Sequence, residues 1–100
     1  MINFNKSFWN GKKVFITGHT GFKGSWLSII LNSLKSKIHG YSLKPPKKSL
    51  FNQSRIKSNL FENTFGDIEN LNLLKKKIKK FKPEIIFHLA AQPLVIDSYK

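Results

Sequence analysis

The stretch Val14-Phe15-Ile16-Thr17-Gly18-His19-Thr20-Gly21-Phe22-Lys23-Gly24-Ser25-Trp26-Leu27 leaves few options for the fold, because strand, glycine turn and helix start follow one another without a spacer. Val14 to Ile16 are consecutive apolar residues, the pattern of a parallel strand buried on both faces. Gly18, Gly21 and Gly24 then recur at three-residue intervals. In such a turn the first glycine bends the chain off the strand, the second lets backbone approach a pyrophosphate, and the third lets the helix pack closely on the sheet. The helix N-terminus contributes unpaired N–H groups and a partial positive charge, so the stretch reads as a phosphate cradle. The rival phosphate loop, G-x-x-x-x-G-K-[S/T], fails on order, since lysine precedes glycine in Lys23-Gly24-Ser25. A nucleoside triphosphatase is thereby disfavoured.

The rest of the chain supplies the companions that such a unit needs. Residues 1–11 read as a lead-in whose Phe8 and Trp9 pack against the end of the first strand, Lys12 to Thr17. Leu27, Ile30, Leu31 and Leu34 have the i, i+3, i+4, i+7 spacing of one buried helix face, and Lys35 to Lys37 end that helix. Ile38 to Leu43 forms a second strand and completes a β-α-β unit. Pro45-Pro46 breaks regular structure, and Ser49 to Glu62 reads as irregular or briefly helical, anchored by Leu50 and Phe51. Asn63 to Asp67 is a short third strand ending at an acidic turn. A helix from Glu69 to Phe81 follows, with Leu71, Leu74, Ile78 and Phe81 on its apolar face and Asp67 as its cap. Glu84 to Leu89 is a fourth strand, Ala90-Ala91-Gln92-Pro93 a loop of mostly small residues, and Ser98-Tyr99-Lys100 the start of a further helix. This alternation predicts an α/β fold, a doubly wound parallel sheet with strand order 3-2-1-4.

Charge is the feature most apt to mislead. A net charge of +13 invites a nucleic-acid reading. Yet of the 18 basic residues only Arg55 is arginine, whereas base and phosphate recognition favours the arginine fork. Asparagine and isoleucine are abundant too, as expected where A- and T-rich codons are favoured, so the lysines, including Lys75-Lys76-Lys77 and Lys79-Lys80, read as solvated surface. Nucleic acid is not an expected partner. The 100 residues contain no cysteine, which suits a reducing cytoplasm. No leader is expected in Met1 to Lys6. The longest nearly apolar run, Ile85 to Ile96, is shorter than the roughly 20 residues needed to span a bilayer, so no membrane partner and a cytoplasmic location are expected.

The T-G-x-x-G-x-x-G form of the glycine loop resembles the extended short-chain dehydrogenase/reductase family. Longer stretches narrow the likeness: Phe8-Trp9-Asn10-Gly11-Lys12, His19-Thr20-Gly21-Phe22-Lys23-Gly24-Ser25-Trp26-Leu27, Gly40-Tyr41-Ser42-Leu43-Lys44-Pro45-Pro46, Gly66-Asp67-Ile68 and Phe87-His88-Leu89-Ala90-Ala91-Gln92-Pro93-Leu94-Val95. These resemble, in order, the amino-terminal part of the CDP-glucose 4,6-dehydratases. The resemblance implies a Rossmann-like NAD-binding domain of which residues 1–100 are the amino-terminal part. It also implies a nucleotide-sugar substrate and an NAD cofactor that takes a hydride from C4 of glucose and returns it to C6 after water has left. Homo-oligomer formation is left open.

On this resemblance Gly18, Thr20, Gly21, Phe22, Lys23 and Gly24 line the pyrophosphate, Asp67 and Ile68 meet the adenine, and Leu89, Ala90, Ala91 and Gln92 run beside the cofactor. Asp67 can serve as both cap and contact. His19 shapes the loop rather than moving protons, and His88 is structural. Two departures stand out. The acid that usually binds the adenosine ribose about 20 residues after the glycines is missing, since no Asp or Glu precedes Glu62. Ser42 is the substitute, while Lys44 leaves a 2′-phosphate, and so NADP, open. The family's Tyr-x-x-x-Lys pair does not occur in these 100 residues, so no catalytic residue is assigned within them. No metal site is expected.

Overall fold

The computed structural model describes residues 6–45 and 47–89. In chain order it contains α1 (Lys6–Trp9), β1 (Lys13–Thr17), α2 (Phe22–Ser33), β2 (Lys37–Ser42) and α3 (Leu50–Ser54). A 3-10 turn (Ile56–Asn59), β3 (Glu62–Phe65), α4 (Leu71–Phe81) and β4 (Ile85–His88) complete it. The four strands form one parallel sheet in the order β3-β2-β1-β4, the order expected from the sequence. Val14 stands opposite Ile38 on one side and Ile85 on the other, and Thr17 opposite Tyr41 and His88.

β1 is central, and its unbroken apolar run is explained by what covers it: Val14, Phe15 and Ile16 have no exposed surface. Alternate side chains point to opposite faces. Val14 and Ile16 join Ile38 of β2 beneath Leu27, Leu31 and Leu34 of the α2 segment, with Trp9 closing the end. Phe15 and Tyr41 face the other way, onto Leu74 and Phe81 of α4. One crossover helix on each face makes the sheet doubly wound. At the opposite end from the glycine turn, Glu84 clips β1 to the chain entering β4. Its carboxylate accepts from Lys13 N at 3.1 Å and lies 3.5 Å from Lys12 Nζ.

Several boundaries differ from the sequence reading. Trp9 is buried as expected, but Phe8 is half exposed, with the Trp9 ring edge-on to it and the Lys12 ammonium over its face. α4 starts at Leu71 rather than Glu69, because Asn70 is its cap, accepting from Leu73 N at 3.2 Å. Leu71 therefore falls on the exposed first turn, and Leu73 packs on the core in its place. Between β2 and β3 the chain forms α3 and the 3-10 turn, anchored by buried Phe51 and Ile56 rather than by Leu50. Pro46, the loop Ala90–Pro93 and the helix expected from Ser98 lie outside the described residues. Among the described residues no helix is long and apolar enough to cross a membrane.

His39 sits within the α4-side core, its ring 4.8 Å from Phe15 and 5.3 Å from Phe81, with Nε2 3.0 Å from Thr64 Oγ1. Burial pushes its pKa down to about 4, outweighing the attraction of Glu62. The imidazole is therefore neutral at pH 7, and the Glu62 carboxylate, 3.7 Å from Lys77 Nζ, finds its cation there. A histidine whose folded pKa lies below its unfolded value of 6.5 contributes stability that is complete above pH 6.5 and declines as pH falls toward 4. Melting temperatures should thus be flat above neutrality and drop between pH 6.5 and 4.5. His39→Phe, which keeps a ring but cannot titrate, should reduce that slope; an unchanged slope would show that the decline arises elsewhere.

Candidate functional site

Because every strand of the sheet runs the same way, all four carboxyl ends arrive at one edge, and hydrogen bonds continue across it past the strands. Gly18 N donates to Tyr41 O at 2.9 Å, Gly66 N to Ser42 O at 2.8 Å and Leu89 N to Thr17 O at 2.8 Å. The sequence-predicted residues Gly18, Ser42, Asp67 and Leu89 are thereby brought to a single rim. Ala90, Ala91 and Gln92 lie outside the described residues.

The turn from β1 into α2 is built on steric absence. Gly18 has φ +79°, a left-handed conformation that favours glycine. At Gly24 a Cβ would overlap the Gly18 carbonyl oxygen and lie 2.6 Å from His19 Cα, so the helix can start this close to the turn only without a side chain there. Gly21 is different. Its φ is −73°, open to any residue, and a Cβ would meet only Gly18 O, at an ordinary 3.5 Å. The fold does not need glycine at 21, and the room in front of it faces outward.

That room lies at a helix end whose polarity is unbalanced. α3 and α4 have side-chain caps, Ser49 and Asn70, but Gly21 gives α2 none. The first turn of α2 holds no acid and carries Lys23, exposed. Helix N-termini favour negative charge, so the arrangement suits an external anion. Phe22 also projects outward here, edge-on to Trp26 with centroids 6.4 Å apart.

Thr20 links this turn to the end of β2. Its hydroxyl lies 3.1 Å from Leu43 O, to which it can donate, and 2.8 Å from Ser42 Oγ, a contact in which either hydroxyl can be the donor. Further along the rim, Tyr41 donates from its buried ring to Asp67 O at 2.9 Å, fixing the β3–α4 turn. The Asp67 carboxylate accepts from Glu69 N at 2.8 Å, a local turn and not the helix cap expected from the sequence. Ile68 tucks half-buried onto the Phe15, Tyr41, Leu74 and Phe81 cluster. At the β4 side Thr17 Oγ1 and His88 Nδ1 are 2.6 Å apart, a pairing of neighbouring strands consistent with a structural His88.

Sequence reasoning missed Tyr41 as the fastener of this turn, and Gly40 and Asn63 as neighbours of His19. The signal was a glycine inside an otherwise well-formed strand, which marks close approach of another group. That group is the His19 ring: a Cβ on Gly40 would overlap its carbons and lie 2.5 Å from Nε2. Burial lowers the His19 pKa against the opposing pulls of Asn63 and the Tyr41 backbone. A separate hollow of about 640 Å³, lined by Phe51, Asn52, Arg55, Lys57 and Ser58, includes none of the predicted residues.

Comparison with known proteins agrees with this fold. The sequence profile described as GDP-mannose 4,6 dehydratase matches residues 15–100. The CDP-glucose 4,6-dehydratase of Salmonella typhimurium is 52% identical over 97 residues, covering 96% of this chain and 27% of that protein. GDP-mannose 4,6 dehydratase 2 of Caenorhabditis elegans is 35% identical, covering 94% of this chain and 27% of its own length. The crystal structure of dTDP-glucose 4,6-dehydratase from Bacillus anthracis in complex with NAD superposes with a TM-score of 0.64 at 26% identity, over 81% of this chain and 27% of that one. The chain thus spans about a quarter of the length of these relatives. With the profile covering the β1–α2 turn and all that follows it, the chain belongs to the GDP-mannose 4,6 dehydratase family.

Proposed function

We propose that residues 1–100 form the amino-terminal part of the NAD-binding domain of an enzyme that converts CDP-glucose to CDP-4-keto-6-deoxyglucose and water. The observation that carries the reading is the uncapped start of α2 behind the open space at Gly21, which fits a pyrophosphate by shape and charge. The Salmonella relative supports the substrate, and the NAD complex of the Bacillus anthracis enzyme supports the cofactor.

In this reading Gly18, Thr20, Gly21, Phe22, Lys23 and Gly24 surround the pyrophosphate, and Asp67 and Ile68 meet the adenine. Leu89, Ala90, Ala91 and Gln92 follow the cofactor along the β4 side, at the point where strand order reverses. Ser42 takes the place of the missing acid. Its hydroxyl, 2.8 Å from Thr20 Oγ1, keeps a lone pair that can accept from a ribose hydroxyl. When bound, NAD supplies a hydride acceptor for C4 of the sugar and a donor for C6. Proton transfer is assigned to none of these 100 residues, which lack the Tyr-x-x-x-Lys pair.

The full-length protein should turn CDP-glucose into a product lighter by one water and bearing a new carbonyl, read by mass spectrometry. Turnover of GDP-mannose with CDP-glucose untouched would move the substrate to that of the other relatives. NAD should bind more tightly than NADP, and Lys44→Ala should leave that order unchanged; an NADP preference that vanishes in Lys44→Ala would overturn the role given to Ser42.

The two helix-start glycines should separate folding from binding. Gly24→Ala should destabilise the fold by about 3 kcal/mol, because backbone must move to admit the methyl group. Gly21→Ala should melt near the wild-type temperature yet raise the NAD dissociation constant about tenfold or more, a loss of at least ~1.4 kcal/mol. Wild-type NAD affinity in Gly21→Ala would remove the pyrophosphate from this position.

A further inference from the structure

We propose that His19 is a positioning residue of the phosphate loop, its imidazole seated in the vacancy at Gly40 and joining the loop to β2, β3 and α3 at once. The inference rests on the pyrophosphate reading above and adds the means by which the loop is held in shape.

The side chain of His19 has no exposed surface although its neighbours Gly18 and Thr20 stand on the rim. Three elements meet it. β2 offers the space over Gly40, which any other residue would fill. β3 offers Asn63 Oδ1, 2.5 Å from Nε2. α3 offers Phe51, edge-on with ring centroids 5.1 Å apart and planes at 87°. The loop backbone on either side is fastened too, by Gly18 N to Tyr41 O and by Ser25 Oγ to His19 O at 3.0 Å. The Asn63 amide oxygen only accepts, so in this contact Nε2 is the donor.

An aliphatic residue would fill the same space but would leave the Asn63 oxygen without its donor. The chemistry therefore calls for a neutral side-chain donor that reaches Asn63 from this inward-pointing loop position. Fixing residue 19 fixes the backbone between Gly18 and Gly21, the segment that sets the width of the cradle. A pyrophosphate is read by backbone N–H groups whose spacing must match its oxygens.

The test uses ADP, which carries the pyrophosphate, against adenosine, which does not, titrated into the full-length protein with folding checked by thermal melts. His19→Leu should weaken ADP about tenfold or more while leaving adenosine within about threefold. His19→Gln, whose amide retains a neutral donor toward Asn63, should keep ADP affinity within about threefold of wild type. Gly40→Ala should weaken ADP in the wild-type background and add nothing when His19→Ala is already present, because the methyl group then has no ring to displace. Should Gly40→Ala not fold, the contrast between His19→Gln and His19→Leu decides. Folded His19→Leu with wild-type ADP affinity, His19→Gln as weak as His19→Leu, or equal losses for ADP and adenosine would each overturn the proposal. Wild-type protein that binds neither ADP nor NAD would overturn the cofactor reading itself, and this inference with it.

Discussion

At the end of β1 the main chain must turn, cross the rim and begin a helix within four residues. It does so with the Gly18 carbonyl and His19 Cα lying where a side chain on residue 24 would be. This contact sets the height at which α2 rides over the sheet. Leu27, Leu31 and Leu34 reach Val14, Ile16 and Ile38 only from that height, and small residues, Ser25 and Ser28 with Gly24, occupy the buried positions nearest the turn. Ser25 and Ser28 satisfy their hydroxyls on His19 O and Gly24 O, so close packing leaves neither hydroxyl without an acceptor. One missing methyl group thus governs the spacing of helix and sheet across the α2 side of the core.

The same parallel geometry decides where chemistry can sit. In an antiparallel sheet the strand ends would alternate between two edges, whereas here four chain exits share one. The functional rim is therefore composed largely of backbone held by the ladder itself, extended by the Gly18, Gly66 and Leu89 amides. Side chains such as Tyr41, Thr20 and His19 then brace one exit against the next. Groups positioned by a sheet are placed more tightly than groups carried on free loops.

What could be read from the sequence was local or periodic. The continuous apolar run of β1, the three-residue glycine spacing and the Leu27 to Leu34 stripe each lie within a short window, and the strand order follows from their alternation. What could not be read involved a choice between similar residues or a meeting of distant ones. Asp67 and Asn70 are both good helix caps, and only the structure shows that Asp67 turns back on Glu69 N while Asn70 caps α4. α3 has five residues and no acid in its first turn, so its anchoring by Phe51 depends on packing against His19 rather than on helix propensity. His19, Gly40 and Asn63 lie on three different elements, and no single window of sequence contains their relation. Ser42 was legible as a polar residue at a strand end, but its contact with the hydroxyl of Thr20, on the other side of the β1–α2–β2 unit, was not.

The uncapped first turn of α2 ties the durability of the fold to its surroundings. Ser49 and Asn70 bring their helices' acceptors with them, whereas Gly21 has no side chain with which to cap α2. A multivalent anion held there recognises the folded chain and not the unfolded one, so by mass action it raises apparent stability by about 2.7 kcal/mol at a concentration one hundred times its dissociation constant. The heat resistance of such a chain is consequently not a fixed attribute. With the proposed pyrophosphate seated at α2, melting would be a property of the buffer as much as of the chain.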